Sequence, residues 1–259
     1  LETTLTATEL ADVSEVPTND VAAYDFYLKA RQAAQEETRD SYQLAIDMYR
    51  QALTLDPQFK QVWIGLARAY MTNYWVFGGD TANVDRARTA IEKAREIDPE
   101  FAELHIAEGF YYYWADLDYD RALYSLSKAI ESMPGNDEAY MWRGWVSRRA
   151  GLWKQTVSSM QQALKLNPRV HFNWHEYALT LLYLHRYEEA RDAAMRAREL
   201  APDSFWGKTT MAHIALQESG DTGKALELTR GAEQANDYDF HRAYVRARVY
   251  ARQFDAALE

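Results

Sequence analysis

The sequence predicts an all-α protein, an α-α superhelical solenoid of stacked helix pairs, and three observations carry that prediction. Breakers are scarce, with 11 Gly and 6 Pro in 259 residues, while Ala, Leu, Glu, Arg and Gln abound, which favours long helices joined by short connections. Five of the prolines, Pro57, Pro99, Pro134, Pro168 and Pro202, follow one another at intervals of 42, 35, 34 and 34 residues, the mark of an internal repeat. Small residues keep step with them. Ala52, Ala94, Ala129, Ala163 and Ala197 stand five positions before the prolines, and Ala45, Ala87, Ala122, Thr156 and Ala190 seven positions earlier.

These positions define the units. Proline lacks an N–H and disfavours helix in the residue before it, so each pair ends where the next begins. Pairs are expected at 21–55, 60–97, 102–132, 137–166, 171–200 and 205–235, with a truncated seventh starting near 239. The turn of the first pair is stretched over 34–39, and Thr72 to Asp80 adds about eight residues to the second. The first helix of each pair carries a second small-residue row, Ala67, Gly109, Gly144, Ala178 and Ala212, four positions after Trp63, His105, Tyr140, Trp174 and Lys208. A helix pair with such a seam cannot bury its apolar side alone, so successive pairs must stack.

The arrangement Trp63-x-x-Leu66-Ala67-x-x-Tyr70, closed by Asp56-Pro57 and Asp98-Pro99 endings, resembles the tetratricopeptide (TPR) signature, over residues 21–259. Residues 1–20 read as a short helix and a linker from a preceding domain, with the breaker Pro17-Thr18-Asn19. The stretch from Pro17 to Arg31 is similar to the junction before TPR regions of bacterial multidomain regulators. That resemblance implies an upstream adenylate or guanylate cyclase domain or a winged-helix domain. The start at Leu1 and the end at Glu259 read as those of a fragment, and Leu258-Glu259 as either native sequence or a cloning scar.

Composition excludes several functions. Zero cysteine removes disulfides, thiolate nucleophiles and cysteine metal sites. A net charge of −10 works against nucleic-acid binding by this region, because phosphate neutralisation needs excess Lys and Arg. No run approaches the roughly 18 apolar residues of a membrane span, so no membrane insertion is expected. A cytoplasmic location is expected, with the periplasm left open.

The resemblance also implies where a partner binds. Family geometry puts first-helix positions 2, 5, 9, 12 and 13 on the concave surface. There the sequence places Arg68, Phe110, Tyr113, Trp114, Trp145, Arg148, Arg149, Phe172, His175, Tyr183, Trp206 and His213. Aromatics and Arg dominate binding hot spots, so these residues form the candidate groove for a protein or peptide. The bland reading is that several of the rings pack between helices. The Lys and Asn set that chaperone-binding TPR domains use to clamp a terminal carboxylate is missing: the corresponding sites hold Asp25 and Lys29, Ile64 and Arg68, Ile106 and Phe110.

Catalytic and metal readings are weaker. His171 and His175 lie one helical turn apart and His213 stands in the next pair, without a fixed third ligand, so no metal is expected. Gly78-Gly79-Asp80 lacks the strand and the Lys-Ser/Thr of a phosphate loop. The acid pairs Glu188-Glu189 and Asp116 with Asp118 imply no cleft for acid–base work. The expectation is a non-catalytic interaction scaffold without a cofactor, the partner-binding or sensory region of a larger signalling protein, with self-association into a homodimer through an open solenoid end. The alternative is a small-ligand sensor with an aromatic pocket near Trp114, Trp145 and Phe172.

Overall fold

A computed structural model describes residues 17–36, 38–202, 204–231 and 238–252. Among the described residues there are thirteen α-helices and no strand. They are α1 (Val21–Ala34), α2 (Arg39–Leu55), α3 (Lys60–Trp75), α4 (Ala82–Ile97), α5 (Ala102–Tyr111), α6 (Tyr119–Ser132) and α7 (Asp137–Arg149). Then follow α8 (Trp153–Leu166), α9 (His171–Tyr183), α10 (Tyr187–Leu200), α11 (Phe205–Glu218), α12 (Thr222–Leu228) and α13 (Tyr238–Tyr250). The short helix expected before Pro17 and the segment after Arg252 lie outside the described residues. Among the described residues, no helix is long and apolar enough to cross a membrane.

Local chemistry sets the helix starts. Asp20 accepts from the N–H groups of Ala22 and Ala23, Thr38 and Ser41 form a reciprocal capping box, and Asn136 accepts from Ala139. At the ends, the residue before each repeat proline leaves the helical region, and Asp56 (φ −135°) and Asp98 (φ −149°) are extended. The proline then turns the chain, with Phe59 N–H donating to the Asp56 carbonyl (3.3 Å) and Phe101 N–H to that of Asp98 (3.3 Å).

The Asp-Pro turn is also a tie. Asp98 accepts from its own turn at Glu100 N–H (3.1 Å) and from Lys60 Nζ at the start of the pair (2.8 Å). Asp56 does the same with Gln58 N–H (2.9 Å) and Thr18 Oγ1 (2.6 Å). The bulky residue six positions past a proline has a related role: the indoles of Trp63 and Trp174 each donate to the proline carbonyl at 2.9 Å.

The small-residue rows are the seams of the pairs. Ala45, Ala52, Ala87, Ala94, Ala122, Ala129, Thr156, Ala163 and Ala190 are fully buried, and Ala197 nearly so. A Cβ on Gly109 would sit 2.6 Å from Leu126 Cγ, so α5 and α6 meet at a distance that only glycine permits.

The described residues fall into two compact units divided after Gly151, in the turn of the fourth pair. In the first, α1 to α7 form successive antiparallel pairs, and each first helix also touches the next first helix, α1 to α3, α3 to α5, and α5 to α7. These first helices make an inner layer. In the second unit α9 pairs with α10 and α11 with α12; α9 also touches α8 and α11, and α13 touches α11.

Three details depart from the expected register. The insertion after Thr72 is partly helical, since α3 runs to Trp75 before the chain turns at Gly78, φ +60°. After α5 the helix widens into a π-turn, Tyr112–Asp116, closed by Leu117 at φ 53°. The second helix of the sixth pair, expected to reach residue 235, ends at Leu228, with Ala225 its one buried residue.

Candidate functional site

In the first unit the inner helices bring Arg68, Phe110, Tyr113, Trp114, Trp145, Arg148 and Arg149 to one layer, on α3, α5, the π-turn and α7. Most of the rings are packed on one another. Phe110 is 4% exposed, with its centroid 4.1 Å from Trp114 and 4.2 Å from Trp142. Trp142 is buried beneath Trp114 and Trp145, which meet it edge-on at 5.4 and 4.5 Å. Such edge contacts suit ring quadrupoles and add to the area buried. Tyr113 is 7% exposed and accepts from Arg149 Nε at 3.2 Å.

Arg68 reaches past a whole pair to Glu138. Its Nη1 donates to Oε2 at 3.2 Å and its Nη2 to Oε1, a two-pronged pairing that also receives Trp142 Nε1 at 3.3 Å. The Glu138 carboxylate holds the Arg68 pKa above its ordinary value, against the effect of burial. This pair bridges α3 and α7 over the middle of the layer, so these two charges are satisfied within the chain. What stays open is the rim at the C-terminal ends of the helices. There Trp75, 45% exposed, stacks on Trp114 with centroids 5.8 Å apart and planes 13° apart, and Arg149 is exposed.

In the second unit Phe172, His175 and Tyr183 come from α9, and Trp206 and His213 from α11. Phe172 meets Trp206 edge-on at 5.3 Å, and the His175 ring lies 4.8 Å from Trp206. His175 is buried, with Nδ1 2.7 Å from Thr210 Oγ1. The same Thr210 hydroxyl lies 3.2 Å from the Trp206 carbonyl, which ties the imidazole to the backbone of α11. His213 is buried and Tyr183 is exposed. Among the described residues, no group of three or more His, Cys, Asp or Glu side chains is disposed to hold a metal ion.

Three residues important to these faces were not among those selected from the sequence. Trp75 lies one turn past the expected helix end, Trp142 falls between the inner positions of α7, and Thr210 is one residue beyond an inner position. The aromatic excess of the segment Thr72–Asp80 was the one available signal for Trp75.

Residues 115–197 match the family described as Anaphase-promoting complex, cyclosome, subunit 3. Over 203 residues the chain is 29% identical to Tetratricopeptide repeat protein 37 of Xenopus laevis, a match covering 74% of this chain and 12% of that protein. The chain thus spans about an eighth of that relative's length. Among solved structures, a thermophilic TPR protein of Thermus thermophilus is similar at a TM-score of 0.62, with 20% identity, over 75% of this chain and 100% of the other. A monomeric mutant of IFIT1 with Gppp-AAAA is similar at a TM-score of 0.75, with 12% identity, over 94% of this chain and 57% of the other. At such identities the likeness is one of fold, and the fold is the TPR-type stack of helix pairs.

Proposed function

We propose that this chain, with its TPR-type fold, is a non-catalytic scaffold that holds a protein or peptide partner along the C-terminal rim of its inner helices. One observation carries the reading: the Trp75 indole is stacked flat on Trp114 at 5.8 Å yet left 45% exposed. A large ring held rigid by its neighbour and turned toward solvent loses little entropy on binding and offers wide apolar contact, the character of a hot-spot residue. Exposed Arg149 on the same layer contributes positive charge to that rim. The net charge of −10 argues against phosphate-rich partners, so nucleic acid is not the proposed occupant. The resemblance of the Pro17 to Arg31 junction supports a place in a larger bacterial regulator in the cytoplasm, where partner binding alters a separate output domain.

Selection of peptides from a displayed library on the immobilised chain tests this. Selected peptides are expected to bind Trp75→Ala or Arg149→Ala about tenfold more weakly, the loss expected for a hot-spot contact, while circular dichroism shows unchanged helix content. Failure to enrich any peptide, or equal binding by both variants, would sink the proposal.

A further inference from the structure

The first unit contains a cleft of about 370 Å³ formed by α4, α5, the π-turn and α6. Its floor is Ile91 and Tyr111, both 5% exposed, and its walls carry guanidinium groups and carboxylates in equal number. We propose that this cleft binds a small zwitterion, an α-amino acid or a dipeptide.

One carboxylate of the cleft is already committed. Glu108 accepts from Arg95 Nη2 at 2.8 Å and from His105 Nδ1 at 3.1 Å. Burial works to raise its pKa, but those two hydrogen bonds outweigh burial and hold it below the usual carboxylate range. The remaining charges are poised and incompletely used. Arg121 lies over the Tyr112 ring, with Cζ 3.9 Å from the centroid, and its Nη1 stands 3.8 Å from Asp116 Oδ2, too far for a hydrogen bond. Arg88 donates through Nε to Tyr111 Oη at 2.9 Å, and its Nη1 lies 3.3 Å from Asp85. Each guanidinium has five N–H donors, so both arginines keep donors for a ligand. Both side chains are more than half exposed, Arg88 at 54% and Arg121 at 58%.

The charge balance selects the ligand. A simple anion would gain from Arg88 and Arg121 but be opposed by Asp116 and Glu92, and a simple cation would meet the reverse. A zwitterion satisfies both sets, its carboxylate taken by the arginine forks and its ammonium by Asp116 or Glu92. The adjacent, unclosed Arg121 and Asp116 match the short separation of the two charged groups in an α-amino acid. Ile91 and the Tyr111 and Tyr112 rings leave an apolar wall for a side chain. The volume equals that of about twelve water molecules, room for one residue or two.

Calorimetry on the whole chain with phenylalanine and with alanyl-phenylalanine tests the proposal and separates its two sources, since the tighter ligand identifies the occupant. N-acetyl-phenylalanine lacks the ammonium and phenylalaninamide lacks the carboxylate; each is expected to bind about tenfold more weakly, the loss of one charge-assisted contact. Arg121→Ala and Asp116→Asn are expected to weaken the free zwitterion by a similar factor. Should Arg121→Ala fail to fold, Asp116→Asn and the blocked ligands still decide. Absence of binding by both zwitterions, equal binding of the blocked forms, inorganic phosphate binding as tightly as the zwitterion, or unchanged affinity in a folded Asp116→Asn protein would each overturn it.

Discussion

Tyr49 shows at the scale of one residue how burial becomes a pH dependence. Its ring is 4% exposed between α2 and the close approach at Gly65, and burial, with help from neighbouring Tyr27, pushes its pKa up to about 12. The phenol therefore stays neutral in the folded chain while its unfolded counterpart ionises near pH 10. Its contribution to stability is complete below pH 10 and is lost as pH rises through the folded value. Tyr49→Phe, which cannot ionise, is expected to flatten this alkaline decline by about 2–3 kcal/mol between pH 10 and 12. Urea unfolding of both proteins at a series of pH values checks it; parallel declines would show that Tyr49 is not the cause. The Arg68–Glu138 bond belongs to the same scale. Each residue occupies an inner position evident from the sequence, but their pairing across 70 positions was not.

At the scale of elements, the seam between α5 and α6 is set by Gly109, where a Cβ would lie 2.6 Å from Leu126 Cγ and 3.3 Å from the Ala122 carbonyl. A methyl group there must displace a fully buried leucine or part the helices. Gly109→Ala is accordingly expected to cost about 1–3 kcal/mol in spite of alanine's better helix propensity. Chemical denaturation measures this, and a gain in stability would contradict the packing described for the pair. The π-turn that follows α5 is the element the sequence concealed. One extra residue shows in the proline spacing, 35 against 34 in the two intervals that follow, but not where it falls; the π-turn leads directly into Leu117 at φ 53° and carries Trp114 onto Trp75.

For the whole molecule, the expectation is local stability, because contacts in stacked repeats run between near neighbours in the chain. The segment 17–151 contains its own core, from Ala23 to Val146, and is expected to fold alone with cooperative thermal unfolding. Circular dichroism and calorimetry of that segment are the check; a non-cooperative, molten segment would show that it depends on residues beyond Gly151.

The sequence by itself determined the all-α class and the small-residue seams, since these follow from local rules: breaker spacing, pre-proline backbone restriction, and the volume two helices allow where they touch. Whether an inner residue is buried or open was beyond it. Phe110, Tyr113 and Trp114 read alike along the chain, yet Phe110 and Tyr113 are enclosed while Trp114 supports an exposed Trp75. Only the tertiary structure decided that, because exposure depends on which side chains of other pairs arrive at the same place, here Trp142, Arg149 and the last turn of α3. The same reason hid the cleft of α4 to α6: Arg88, Asp116 and Arg121 sit on three elements with no shared periodicity, and folding alone makes them neighbours.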